Sequence, residues 1–170
     1  MCRRLRKFVF PIGLFLILFF SLPAAAAVKG DPAPEFTLKS LDGKSVSLQD
    51  YRGKYLLVNF WATWCAPCKV EMPSIEALYR QFKIEKFDVL AISNDMFGEK
   101  IVRPFIETHG FTFTVLLDPI LRVSKRFGVV SLPTTFLIDP EGKIIGVLGG
   151  AEDWSAPRNI TFFKNLLKKE

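Results

Sequence analysis

The sequence predicts an α/β domain built on a central mixed β-sheet flanked by helices, and three observations carry that prediction. Strand-like and helix-like segments alternate from residue 55 onward. Tyr55–Trp61 is a continuous apolar run broken only by Asn59, the pattern of a strand buried on both faces. The last two strand-like segments, Thr134–Ile138 and residues 143–148, flank Asp139-Pro140-Glu141-Gly142, so a hairpin closes the sheet and makes it mixed.

Residues 1–27 read as an export signal. Arg3, Arg4, Arg6 and Lys7 precede an apolar run over residues 8–22, and Pro23 with Ala24 to Ala27 supplies the small residues that signal peptidase requires. Cleavage is expected after Ala26 or Ala27. Left uncut, residues 8–27 are long enough to anchor the chain in a bilayer, with the basic flank in the cytoplasm. Both readings place the remainder outside the cytoplasm, in a periplasm or an equivalent compartment. Residues 28–34 form a short linker with two prolines, Pro32 and Pro34, and residues 35–170 form the folded domain.

Within that domain, residues 36–48 alternate and turn at Asp42-Gly43, an N-terminal β-hairpin. A helix follows the Tyr55–Trp61 strand over residues 67–82. Pro67 stands where a first-turn proline is tolerated, and Ile75, Leu78, Tyr79 and Phe82 share one apolar face. Pro73 inside this helix is expected to kink it. Phe87–Ser93 is a strand, and Glu99–His109 is a helix ended by Gly110, with Ile101, Val102, Phe105 and Ile106 inward. Thr114–Leu117 is a short strand. Residues 121–127 form a short helix stopped by Gly128, and residues 156–168 the last helix, with Ile160, Phe163 and Leu167 on one side.

Charge says little about partners. The whole chain carries +6, but four basic residues lie in the first 27, which leaves +2 for the rest. The basic residues form no aromatic-interleaved stripe, so no nucleic acid partner is expected. A zinc site is not expected either, because residues 28–170 hold two cysteines and one histidine, short of four ligands. His109 reads as a helix C-terminal residue, and Asn94-Asp95 as a turn or cap. Trp61 is assigned to the core. Trp154 fits either beneath the last helix or on a partner surface.

Trp64-Cys65-Ala66-Pro67-Cys68 carries the chemistry. A strand ending at Trp61 followed by a helix starting near Cys65 puts that sulfur at a helix N-terminus. Free N–H groups and the helix dipole favour a thiolate there. Cys68 lies one turn later, where its sulfur reaches the first and can resolve a mixed disulfide. A fixed structural disulfide is the plainer alternative, but so small a loop would restrain the unfolded chain little.

The segment from Asn59 through Trp64, Cys65 and Cys68 to Lys69 resembles the active-site segment of thioredoxin-fold proteins. Ser131-Leu132-Pro133-Thr134-Thr135 resembles the stretch that carries that fold's cis-proline. With the N-terminal hairpin and Glu71, the resemblance is closest to the TlpA/ResA-like exported thiol–disulfide oxidoreductases, over residues 31–170. It implies a thioredoxin fold with an N-terminal hairpin extension. Cys65 would attack, Cys68 would resolve and Glu71 would tune the pair and move protons. Trp64, Pro67, Leu132 and cis-Pro133 would form the client-binding surface. The plainer reading of Glu71 is an exposed first-turn carboxylate. Asn59 departs from cytoplasmic thioredoxins, which carry aspartate there.

The resemblance implies a dithiol reductase of specific protein disulfides, of the apocytochrome c or metal-site assembly factor type. A membrane thiol-electron transporter would be its electron donor. No cofactor beyond the Cys65–Cys68 pair and a monomeric state are expected. The alternatives are an oxidase or isomerase using the same cysteines, a peroxidase, and a non-catalytic binding or chaperone module. Peroxidases of the related peroxiredoxin branch use Thr-x-x-Cys with an upstream proline, where this chain has Ala62 and Val58.

Overall fold

The computed structural model describes residues 27–168. The expected signal or anchor over residues 1–27 therefore lies outside the described residues, save for Ala27. Within these described residues seven strands form one sheet: β1 (Thr37–Ser40), β2 (Ser45–Ser47), β3 (Tyr55–Trp61), β4 (Phe87–Ser93), β5 (Thr114–Leu117), β6 (Thr134–Ile138) and β7 (Ile144–Gly149). Among the described residues four α-helices accompany them: α1 (Ala66–Phe82), α2 (Glu99–His109), α3 (Arg122–Arg126) and α4 (Pro157–Leu167). The sheet order is β2-β1-β5-β4-β3-β6-β7. Strands β3, β4 and β5 run parallel, whereas β6 pairs antiparallel with β3 and β7 with β6. The hairpin β1–β2 joins the far edge through β5. This is a thioredoxin-like fold with a mixed sheet.

Side-chain alternation along the strands sorts the two faces. Leu57 and Trp61 of β3 point toward a core built with Met72, Ile75, Leu78 and Phe82 of α1, Val102 and Ile106 of α2, and Phe163 of α4. Leu56, Val58 and Phe60 point the other way, toward Val123 and Phe127 and the N-terminal residues Phe36 and Leu48. On that second face, the rings of Phe60, Phe127 and Phe136 meet at centroid distances of 5.0 to 5.8 Å. Each such fully buried side chain contributes roughly 1.5–3 kcal/mol. Asn59 and Thr135, paired across β3 and β6, take the α1 side by the same alternation.

The elements match the expected ones to within a residue or two at most ends. One local difference lies after β2. The chain leaves the hairpin at Ser47 and makes a 3₁₀ turn, Leu48–Tyr51, with Ser47 N–H donating to Asp50 at 2.8 Å. The Ser-x-x-Asp spacing is the sequence signal for that capping arrangement. Residues 28–34, expected as a linker, are held against the β6–β7 hairpin. Gly30 N–H donates to Ile144 O at 2.8 Å, and Ile144 N–H returns a bond to Asp31 O at 2.9 Å. Helix α2 ends as read, at Gly110 with a φ of 66°, a left-handed cap that glycine adopts without a Cβ clash. Of its four expected inward residues, Val102 and Ile106 are buried, and Ile101 and Phe105 half-buried.

Candidate active site

Strands β3, β4 and β5 are parallel, so their C-terminal ends and the loops that follow lie together at one end of the sheet. Because β6 is antiparallel to β3, its start lies at that end as well, with Thr134 opposite Phe60. The fold thereby brings the Cys65 turn and Pro133 to one place from segments far apart in sequence. The Leu132–Pro133 peptide is cis. Pro133 is buried, and Leu132 half-buried.

Cys65 and Cys68 form a disulfide. Cys65 is the N-cap residue of α1, and its sulfur accepts from Cys68 N–H at 3.3 Å. Cys65 keeps 5% exposure, while Cys68 is wholly buried, so an incoming sulfur reaches Cys65 first. Pro67 lies in the first turn of α1, where its missing N–H costs no helical bond. Trp64, 69% exposed, stands beside the pair on the surface, while Trp61 is buried in the core.

Glu71 is buried, contrary to the plainer reading of an exposed helix carboxylate. The reason is its partners. Asn59 Nδ2 donates to its Oε1 at 2.7 Å, and Glu152 N–H and Trp154 Nε1 donate to its Oε2 at 3.1 and 3.4 Å. Burial pushes the Glu71 carboxyl above its usual range, and these neutral donors bring it back only in part. Asn59 Nδ2 also donates to Thr135 Oγ1 at 2.9 Å, so one amide links the helix acid to the strand that follows Pro133. The segment between β7 and α4 is strapped to α1 through Ser74, whose Oγ donates to Glu152 O and accepts from Trp154 N–H. Trp154 thus packs inward, under the strap and the last helix. A cleft of about 340 Å³ lined by Val70, Glu71, Ser74 and residues 151–153 opens beside the acid.

Sequence reasoning reached Cys65, Cys68, Glu71 and Pro133, but not Thr135, Ser74, Glu152 or Trp154 as neighbours of the acid. A further residue is Asp95, which receives Thr63 N–H and Thr63 Oγ1–H. The signal for Asp95 was topological: it follows the strand parallel to β3, so it arrives beside the reactive turn. His109 lies at the end of α2, with Nδ1 2.8 Å from Phe105 O and its ring against Phe105 and Phe111. Among the described residues no group of three His, Cys, Asp or Glu side chains is arranged to hold a metal.

Known proteins resemble this chain in sequence and fold. The AhpC/TSA family matches residues 29–147. The chain is 39% identical over 142 residues to the thiol-disulfide oxidoreductase ResA of Bacillus subtilis (strain 168), which spans 82% of this chain and 76% of that protein. ResA of Geobacillus thermodenitrificans (strain NG80-2) is 42% identical over 134 residues, 78% of this chain and 75% of that one. Among solved structures, the thioredoxin domain of a thiol-disulfide oxidoreductase from Bacteroides vulgatus superposes with a TM-score of 0.73 at 30% identity, over 84% of this chain and 99% of that one.

Proposed function

The chain belongs to the AhpC/TSA family and is a thiol–disulfide oxidoreductase related to ResA, and from this premise we propose that it is a dithiol reductase of protein disulfides outside the cytoplasm. The observation that carries the mechanism is the unequal placement of the two sulfurs. Cys65 caps α1 and keeps a small exposed edge, and Cys68 is sealed behind it.

In the reduced protein, the Cys65 thiolate attacks one sulfur of a client disulfide. The client's other sulfur leaves as a thiolate, and a mixed disulfide forms. Cys68 then gives up its proton and attacks Cys65. The Cys65–Cys68 bond forms, the mixed bond breaks, and the client's second sulfur leaves and is protonated. Two electrons pass to the client and the protein is left oxidised, the state the structure shows. Glu71, one helical turn beyond Cys68, takes up and returns the proton. Its raised affinity for a proton suits that role.

Trp64, Pro67, Leu132 and Pro133 form the client surface in this reading. A membrane thiol-electron transporter restores the dithiol, and the chemistry needs no cofactor beyond the Cys65–Cys68 pair. The clients are of the apocytochrome c or metal-site assembly factor type, and the protein acts as a monomer. Residues 1–27 support export, as a cleaved signal or as an anchor through residues 8–27. The Ala66-Pro67 dipeptide favours reduction over the oxidase or isomerase alternative by likeness to reducing members of the family. A peroxidase role is disfavoured because Ala62 has no hydroxyl and the neighbouring Thr63 Oγ1 donates to Asp95.

Equilibration with glutathione tests the direction. A reductase pair stays oxidised until the buffer is strongly reducing. A potential near the oxidising end, about −120 mV, overturns the reductase reading in favour of the oxidase. A Cys68→Ala chain should hold its clients as mixed disulfides through Cys65, which identifies them.

A further inference from the structure

Asn94-Asp95 follows β4, and the backbone turns there as read, with Gly98 N–H donating to Asp95 O at 2.9 Å. The Asp95 side chain does something that no turn requires. It is buried, 1% exposed, and directed across to the loop after β3. Thr63 N–H donates to Oδ2 at 2.9 Å, Thr63 Oγ1 to Oδ1 at 2.7 Å, and Ser93 Oγ to Oδ2 at 2.8 Å. These donors are two hydroxyls and one backbone N–H, all neutral.

Thr63 is the second residue of the turn Ala62-Thr63-Trp64-Cys65, closed by Cys65 N–H donating to Ala62 O at 3.1 Å. The carboxylate therefore grips the reactive turn from behind, two residues before the attacking sulfur. Charged groups of the adjoining elements bind elsewhere or face solvent: in α2, Arg103 pairs with Glu99, and Lys100 is exposed. Glu71 of α1 binds Asn59 and the strap. Asp118 after β5 accepts from the N–H groups of Arg122, Val123 and Ser124 at the start of α3. Lys69 of α1 is solvent-exposed.

We infer that Asp95 is a positioning residue of the reactive turn whose carboxylate opposes the Cys65 thiolate and so favours the disulfide over the dithiol. The sign follows from charge. Reduction creates a site for negative charge on Cys65 Sγ, and the disulfide carries none. A carboxylate behind the turn, in a water-poor place, raises the energy of the charged form only. It acts against the helix N-terminus and Cys68 N–H, which favour the thiolate. A dithiol so destabilised gives up its electrons more readily. The biological direction of the effect rests on the reductase reading, but the effect itself needs no client.

The test uses the full chain in a Cys2→Ala, Cys68→Ala background, in which only Cys65 reacts, and follows alkylation against pH. Asp95→Asn should lower the pH midpoint of Cys65 by about one unit, the scale of a single neighbouring charge at intermediate dielectric. With Cys68 restored, and at a pH above that midpoint, the glutathione equilibrium should move about tenfold toward the dithiol, about 30 mV. An unchanged or raised midpoint in folded Asp95→Asn protein overturns the inference. Should that variant not fold, Asp95→Ser, which also removes the charge, decides: the midpoint should again fall, and a rise or no change overturns the inference. If the parent chain proves oxidising while Asp95→Asn still lowers the midpoint, the reductase reading fails and the role of Asp95 stands.

Discussion

Two glutamates on helix α1 sit five residues apart, and their protons are held in opposite ways. Glu71 keeps 2% exposure and Glu76 7%, so burial alone does not separate them. Their donors do. Glu71 receives only neutral groups, the Asn59 amide, the Glu152 N–H and the Trp154 indole, and burial outweighs them to push its carboxyl up. Burial pushes Glu76 up as well. There Thr112 N–H, the Arg80 guanidinium and Thr112 Oγ1 together outweigh it and hold the carboxyl below its usual range. Glu76 is a pin between α1 and the segment that leads into β5, whereas Glu71 is placed to change its protonation state. One helix thus carries a structural acid and a chemical one, told apart by a cation and a threonine.

The largest expected effect tests the chemical side. Glu71→Gln keeps the shape of the side chain and removes its proton exchange. Reduction of a disulfide-bearing protein should slow on the order of 10²-fold, the lower end of what general acid–base catalysis supplies. The pH midpoint of Cys65 should fall, because a neighbouring carboxylate is gone. Glu76→Gln should leave both readouts close to those of the parent. An unchanged midpoint and rate in Glu71→Gln would reduce Glu71 to a second pin.

The structural side is tested by stability. Glu76→Ala leaves Thr112 N–H and Oγ1 without their acceptor, at a cost of about 2–3 kcal/mol, read from the denaturant midpoint. The pH dependence separates the two acids further. Glu76, depressed in the folded state, contributes stability that is present above its unfolded value and lost as pH falls through the folded one. Glu71, raised in the folded state, contributes stability that is present below its unfolded value and lost as pH rises through the folded one. Over the acid range from about pH 3 to 7, stability should therefore climb less steeply in Glu76→Gln than in the parent, and more steeply in Glu71→Gln. Equal slopes in the two variants would erase the distinction.

How much of this was legible in the sequence depended on the distance along the chain over which each signal acts. The strands and helices follow from local periodicity, and the Cys65-Ala66-Pro67-Cys68 pair from its spacing at a strand–helix junction. The burial of Glu71 does not, because an acid one turn after Cys68 fits an exposed position equally well. Its donors lie 12 residues earlier and 81 and 83 residues later. Glu76 falls among Ile75, Leu78 and Tyr79 and went unread, since its partner Thr112 is 36 residues away. Asp95 read as a turn because its partner Thr63 lies 32 residues before it, brought close only by parallel pairing of β3 and β4. Periodicity reports which face of an element is buried, but not which polar group it meets there.

The smallest expected effect decides what separates the two glutamates. Arg80 Nε meets Glu76 Oε1 at 2.5 Å, four residues along the helix, and its NH2 reaches Gly110 O at 3.3 Å. The Arg80 side chain is 58% exposed, so water screens the pair. Exposed pairs at this spacing contribute about 0.3–0.5 kcal/mol. Arg80→Ala should therefore cost about 0.5 kcal/mol, and most of that cost should vanish in 1 M salt, where screening acts within about 3 Å. Thr112 would still hold Glu76 through two bonds at 2.8 and 2.7 Å that salt does not weaken. A loss near 2 kcal/mol that persists in salt would show that the cation, not the threonine, makes Glu76 a pin. Placing a cation four residues after Glu71, where Ile75 now packs in the core, would then convert nothing, because that position has no water to solvate the charge and no room to hold it.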